Sequence, residues 1–156
     1  MEIAYIKTPL GIAKIEGDHN GVCVISISDA GEISNKVPTV LQEAVSQLID
    51  YFDEKRTNFT FKLNPAGTDF QQKVWQALLE IPFGKTCSYM DLSKKLGDIK
   101  AIRAVATANG KNPLWIVVPC HRVIGTDGSL TGYAGGLWRK KWLLDHENPN
   151  VQQQLF

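Results

Sequence analysis

Three short runs near the start of the chain, at residues 3–6, 12–15 and 22–27, are mostly apolar and read as strands, whose side chains would alternate between two faces with a period of two. Turn formers separate the runs, around Pro9 and Gly11 and then at Asp18-His19-Asn20-Gly21, so the pattern predicts antiparallel hairpins. The period then changes to that of a helix. Leu41, Ala44, Val45, Leu48, Ile49 and Phe52 share one helical face and predict a helix from residue 38 to about 55. Asn64-Pro65-Ala66-Gly67 reads as a short linker, and Thr68-x-x-Gln71 fits a capping box ahead of a helix carrying Phe70, Val74, Ala77 and Leu78. Pro82-Phe83-Gly84 ends that helix. Ser88 then caps a short helix through Leu96, Gly97 breaks it, and Asp98 caps a second helix from residue 99 to 109 with Gly110 as its stop. Two helices across a glycine turn predict a helix-turn-helix. The apolar run at 114–118 reads as a buried strand, and residues 137–145 form an amphipathic stretch. The expected class is α+β. It comprises an N-terminal antiparallel sheet with a helix at 1–66, a mainly helical C-terminal domain at 67–150, and a tail at 151–156 without assigned function.

Composition narrows the setting. The chain has 156 residues, 44% of them hydrophobic, enough to bury a core without disulfides or metal. Three cysteines without a C-x-x-C pair argue against a disulfide framework and fit a reducing compartment. No secretion signal is visible at the start, and no run approaches the ~18 apolar residues of a membrane span. A soluble, cytoplasmic, monomeric protein is expected. Net charge is +1, but it is divided unevenly: residues 1–69 hold six Lys/Arg against ten Asp/Glu (−4), and residues 70–156 hold eleven against six (+5). The basic half suits a polyanionic partner such as nucleic acid.

Candidate chemistry lies in that same half. Pro119-Cys120-His121-Arg122 follows the apolar run directly, bringing a thiol and an imidazole together. A free thiol is mostly protonated at neutral pH, and a neighbouring histidine that takes its proton makes it a nucleophile. Glu147, at the end of the amphipathic stretch, could orient the imidazole and complete a Cys-His-Glu set. The same residues leave open a buried, inert cysteine or a cysteine hydrolase that turns over acyl substrates. The second helix of the pair is slim, with Ala101, Ala104, Ala106 and Ala108, and Lys100 and Arg103 are its only cations. It could approach a duplex closely, with Arg103 filling the space of an extruded base, or it could be an alanine face packed on its neighbour. Cys23 alternates with strand residues and reads as core, and His19 as a surface turn residue. With only those two candidates in the first half, four zinc ligands cannot be gathered there.

Taken in order, the segments Gly84-Lys85-Thr86-Cys87-Ser88-Tyr89, Arg103-Ala104-Val105, Ala108-Asn109-Gly110-Lys111-Asn112-Pro113, Pro119-Cys120-His121-Arg122-Val123-Ile124, Gly132-Tyr133-Ala134-Gly135-Gly136 and Trp142-Leu143-Leu144-x-His146-Glu147 resemble the O6-alkylguanine-DNA alkyltransferases over nearly the whole chain. The resemblance implies a repair protein that moves an alkyl group from O6 of guanine, or less well O4 of thymine, in double-stranded DNA onto its own cysteine, once, with no cofactor and no metal. It implies Cys120 as acceptor, His121 as base through a water, Glu147 as the holder of the imidazole and Asn112 as the support of the active-site turn. Tyr89 would donate to the flipped guanine and rotate its phosphate, and Arg103 would intercalate, with Lys100 and Ala104 beside it on the DNA. Backbone groups around Val123 and from Tyr133 through Ala134 to Gly135 would form the base pocket. Ala134 stands where some relatives have serine. Trp115 stands where some have proline, which implies a narrowed entrance and poor reaction with benzylated guanine. Proteins of this architecture that only flag lesions typically lack the acceptor cysteine, whereas Cys120 is present. The lesion sensor nevertheless stays open as an alternative, as does a regulator built on the helix-turn-helix.

Overall fold

The computed structural model describes residues 1–130, 133 and 135–148; the expected tail at 151–156 lies outside the described residues. The chain divides into two compact units, one made of Met1–Ala66 with Pro113–Val117, the other of Gly67–Asn112 with Val118–Phe156.

In the first unit, β1 (Glu2–Thr8), β2 (Gly11–Asp18) and β3 (Gly21–Ser28) form an antiparallel sheet in sequence order. Burial alternates along the strands: Ala4 and Ile6 of β1 and Ala13 and Ile15 of β2 are buried, with Ala4 opposite Ile15 and Ile15 opposite Ile25 of β3. The register shifts at Glu16/Gly17, where a Cβ on Gly17 would stand 2.7 Å from the carbonyl oxygen of Gly21. A 3-10 turn at Thr39–Leu41 leads into α1 (Gln42–Phe52), shorter at both ends than its periodicity predicts. Leu41, Ala44, Val45, Leu48 and Tyr51 form the buried face, whereas Ile49 is exposed. Gln47 is also buried and exchanges hydrogen bonds with Thr60, 2.9 Å from Thr60 N to Gln47 Oε1 and 2.7 Å from Gln47 Nε2 to Thr60 Oγ1. Its polar end is satisfied, as burial demands.

The run at 114–118 is buried, but it is not a strand. Only Leu114 bridges β3, with Ile25 N donating to the carbonyl of Pro113 at 2.8 Å and Trp115 N donating to the carbonyl of Ile25 at 3.0 Å. The chain then closes a three-residue turn about Ile116, where Val117 N meets the Trp115 carbonyl at 2.9 Å and Ile116 takes φ +71°. Such a φ is strained for a β-branched residue, so surrounding contacts hold it. Hydrophobicity gave the burial correctly and the backbone path wrongly.

In the second unit, α2 (Asp69–Leu78) begins at the predicted capping box, in which Gln71 N donates to Thr68 Oγ1 and Thr68 N donates to Gln71 Oε1. Ser88 accepts from Asp91 N to start α3 (Tyr89–Lys95), and Gly97 turns the chain at φ +89°. Asp98 caps a 3-10 turn at Ile99–Ala101 that runs into α4 (Ile102–Gly110). Trp75 of α2 donates through Nε1 to the Ala108 carbonyl at 2.9 Å and so ties α2 to α4. A two-residue parallel pairing of β4 (Cys87–Ser88) with β5 (Val123–Ile124) places the start of α3 beside the exit of the cysteine turn. The last element, α5 (Leu137–Glu147), presents Lys140, Leu143, Leu144 and Glu147 on its buried face.

Candidate active site

The thiol sits just after a chain excursion. The second unit runs to Asn112, the next five residues cluster with the first unit, and the chain returns at Val118. Asn112 Nδ2 donates to the Val118 carbonyl at 2.7 Å and closes the neck of that excursion. Cys120–Arg122 then winds into one 3-10 turn, with Cys120 N donating to Val118 O at 2.8 Å and Arg122 N to Pro119 O at 3.0 Å. At three residues per turn, successive side chains point about 120° apart.

His121 and Arg122 converge on Glu147, the last residue of α5. His121 Nε2 lies 2.8 Å from Glu147 Oε2, while Arg122 donates from Nε to Oε1 at 2.7 Å and from Nη2 to Oε2 at 3.0 Å. The remaining Arg122 nitrogen, Nη1, donates to the Ile81 carbonyl at 2.7 Å. Burial alone would raise the Glu147 carboxyl, but the hydrogen bonds and charge of its two neighbours outweigh it and hold the group well below the carboxylate range. An ionised carboxylate only accepts, so Nε2 of His121 carries the proton and Nδ1 has the lone pair. Nδ1 is buried and has no hydrogen-bond partner among the described residues. Burial also pushes the imidazole below its ordinary value against the pull of Glu147, so at neutral pH it is uncharged and able to take a proton.

Cys120 is 8% exposed, and burial pushes its thiol up; a hydrogen bond from Asn112, the charge of Lys140 and a backbone bond work against that rise. The resting group is therefore a thiol that needs a base. Lys140 is fully buried and donates to the Val123 carbonyl at 2.6 Å, with its ammonium 6.0 Å from the centre of the Tyr89 ring. Burial brings it down to about 8, and the neighbouring Cys120 opposes the fall. A thiolate at Cys120 would keep this ammonium charged, and the ammonium would stabilise the thiolate.

The structure thus brings Cys120, His121, Glu147, Asn112, Val123 and Tyr89 into one neighbourhood. The Val123 carbonyl accepts one hydrogen bond from Lys140. Tyr133 and Gly135 are half-buried and lie just before α5, and Ala134 lies outside the described residues. Lys100, Arg103 and Ala104 are exposed on the second helix of the helix-turn-helix and the turn that leads into it. Trp115 belongs with the first unit, 6% exposed and with its ring centre 6.2 Å from that of Phe52, which gives the indole a packing role that sequence reading missed. Also missed were the roles of Arg122 and Lys140. The i, i+3, i+4, i+7 spacing of Lys140, Leu143, Leu144 and Glu147 was the available signal, since it puts a cation on the apolar face. Among the described residues no group of three or more His, Cys, Asp and Glu is gathered as a metal would need, and no helix is long and apolar enough to cross a membrane.

Two family models cover almost all of the chain. The 6-O-methylguanine DNA methyltransferase ribonuclease-like domain matches residues 1–65, and the DNA binding domain of the same proteins matches 69–149. A methylated-DNA–protein-cysteine methyltransferase of Methanosarcina barkeri is 43% identical over 155 residues, covering 94% of this chain and 97% of the relative. Among solved structures, the O6-methylguanine methyltransferase of Mycobacterium tuberculosis is similar with a TM-score of 0.85 at 40% identity, over 95% of this chain and 93% of that one. The same organism's protein in complex with DNA gives 0.85 at 39% identity, over 97% and 98% of the two chains.

Proposed function

The chain belongs to the 6-O-methylguanine DNA methyltransferase family, and from that premise we propose that Cys120 is the alkyl acceptor of a single-turnover repair reaction on O6-alkylguanine, and less readily on O4-alkylthymine, in duplex DNA. Family membership makes it a methylated-DNA–protein-cysteine methyltransferase that acts in direct-reversal DNA repair, with DNA as its partner. The observation that carries the assignment of roles is the 2.8 Å contact of His121 Nε2 with an ionised Glu147, because it leaves Nδ1 as the base.

The damaged base turns out of the duplex as Arg103 enters the stack from the exposed face of α4. His121 Nδ1 takes the thiol proton through a water. The sulfur attacks the alkyl carbon, the new S–C bond forms as the C–O6 bond breaks, and the electron pair passes to the guanine. Tyr89 donates to the base as that charge develops, and Lys140 holds the thiolate beforehand. Asn112 fixes the turn from which the thiol points. The thioether is not hydrolysed, so each copy works once, and the protein acts as a monomer. Because the acceptor must be a free thiol, a reducing compartment suits it.

Intact-protein mass after incubation with a duplex carrying one O6-methylguanine, followed by peptide mapping, is the test. One methyl on Cys120, and none in Cys120→Ala, is the expected result. Tight binding of the damaged duplex without a mass change would instead establish a lesion sensor, and repeated turnover on acyl substrates a hydrolase.

A further inference from the structure

Arg139 occupies an unfavourable place for a cation. It lies in the first turn of α5, where the helix dipole is positive and no acidic residue is present, and it is only 7% exposed although its neighbour Trp138 is 55% exposed. Its surroundings account for this. Nη1 donates to the Gly135 carbonyl at 2.9 Å, and the guanidinium carbon stands 4.6 Å from the centre of the Trp138 ring, close enough for a cation–π contact. The turn it grips is tight. Gly136 N donates to the Tyr133 carbonyl at 3.1 Å, Gly136 has φ +92°, and a Cβ on Gly135 would stand 2.9 Å from the Tyr133 ring and 3.6 Å from Arg139 Cδ. Among the described residues no side chain caps the helix here. The Gly136 carbonyl accepts from Arg139 N and Lys140 N, and the Arg139 side chain reaches back over that junction.

We propose that Arg139 is a positioning residue that latches the Tyr133, Gly135 and Gly136 turn onto α5, with Trp138 as its outer plate, and so sets how large an alkyl group the base pocket accepts. The proposal rests on the reading that this turn walls the pocket. The mechanism is steric: with the Gly135 carbonyl held, the Tyr133 ring has one position against Gly135, and a released turn lets it swing. Methyl transfer then loses the close fit that aligns a small group, while a bulky group gains room.

The test compares single-turnover rates on duplexes carrying O6-methylguanine and O6-benzylguanine for wild type, Arg139→Met, Arg139→Lys and Trp138→Ala. Arg139→Met keeps the stem and removes the fork. It should slow methyl transfer about tenfold, the worth of one charge-assisted hydrogen bond, mainly in the rate at saturating duplex, and slow benzyl transfer far less. Arg139→Lys, which can still reach the carbonyl, should recover part of the difference. Trp138→Ala changes an exposed side chain and carries the test should Arg139→Met not fold; a shift of the benzyl-to-methyl ratio in the same direction, about threefold, is expected. An unchanged ratio in folded variants, or equal losses on both lesions, overturns the latch while wild-type methyl transfer leaves the assignment of Cys120 intact. Absence of methyl transfer by wild type overturns both.

Discussion

A buried thiol and a buried imidazole each resist their charged form, and the proposed chemistry of this site follows from having both. Burial holds His121 below its ordinary 6.5 and lifts Cys120 above its ordinary 9.0, so the neutral pair is the resting state across neutral pH. The proposed base catalysis needs the unprotonated imidazole. The transfer rate should therefore hold level between about pH 6.5 and 8, fall below that range as His121 is protonated and fall above it as Lys140 loses its charge; single-turnover rates between pH 5 and 9 measure this, and an acid limb centred above 6.5 would contradict it. In His121→Ala the level region should be replaced by a rate that climbs with pH as the thiol ionises unaided. Glu147 has a second duty. Its side chain is 1% exposed and faces both His121 and Arg122, so Glu147→Gln strands a buried guanidinium and should cost roughly 3–5 kcal/mol in urea unfolding, with part recovered in the double variant with Arg122→Met. How legible these residues are depends on how local their signal is. Cys120 and His121 announce themselves by adjacency, and Glu147 by the order of motifs. Arg122 and Lys140 did not, because cations default to solvent and only the fold shows that these two are inside.

At the scale of elements, local chemistry was legible and long-range pairing was not. The caps at Thr68, Ser88 and Asp98 each form with the backbone amide that their spacing indicates, since a cap involves residues two or three apart. Thr68→Ala removes one bond of the box and should cost about 1 kcal/mol of stability, read from the shift in unfolding midpoint. Because α2 sends the Trp75 indole to the Ala108 carbonyl, hydrogen exchange should also quicken in α4, while the transfer rate on a methylated duplex stays as in wild type. An unmoved α4 would mean that the two helices hold independently. By contrast, the pairing of Cys87–Ser88 with Val123–Ile124 spans two residues of each strand and has no periodicity to read. The turn about Ile116 escaped for another reason. An all-apolar run reports burial and is indifferent to backbone path, and a β-branched residue at φ +71° is the conformation its composition argues against.

At the scale of the whole molecule, the two parts of the sequence differ in charge, and the two units share a chain in an order that no single boundary describes. The first 69 residues carry −4 and the remainder +5, so the DNA partner belongs electrostatically with the second part, and that invites expression of residues 67–156 alone as a minimal repair protein. The interleaving argues against success. Pro113–Val117 lies within residues 67–156 in sequence yet clusters with the first unit, where Ile25 supplies both hydrogen bonds to Pro113 and Trp115 and Phe52 supplies a ring against the indole. Leu114, Trp115, Ile116 and Val117 are all buried, so the fragment would expose four large apolar side chains and release the support that holds Ile116 in its strained turn. Cys120 follows three residues after Val117, within reach of that loss. Residues 67–156 expressed alone should therefore aggregate or transfer methyl far more slowly than the full chain, and co-expression of residues 1–66 as a separate polypeptide should restore both solubility and transfer. A soluble fragment with the full chain's rate would show that the neck closed by Asn112 and Val118 is sufficient to shape the cysteine turn without the sheet.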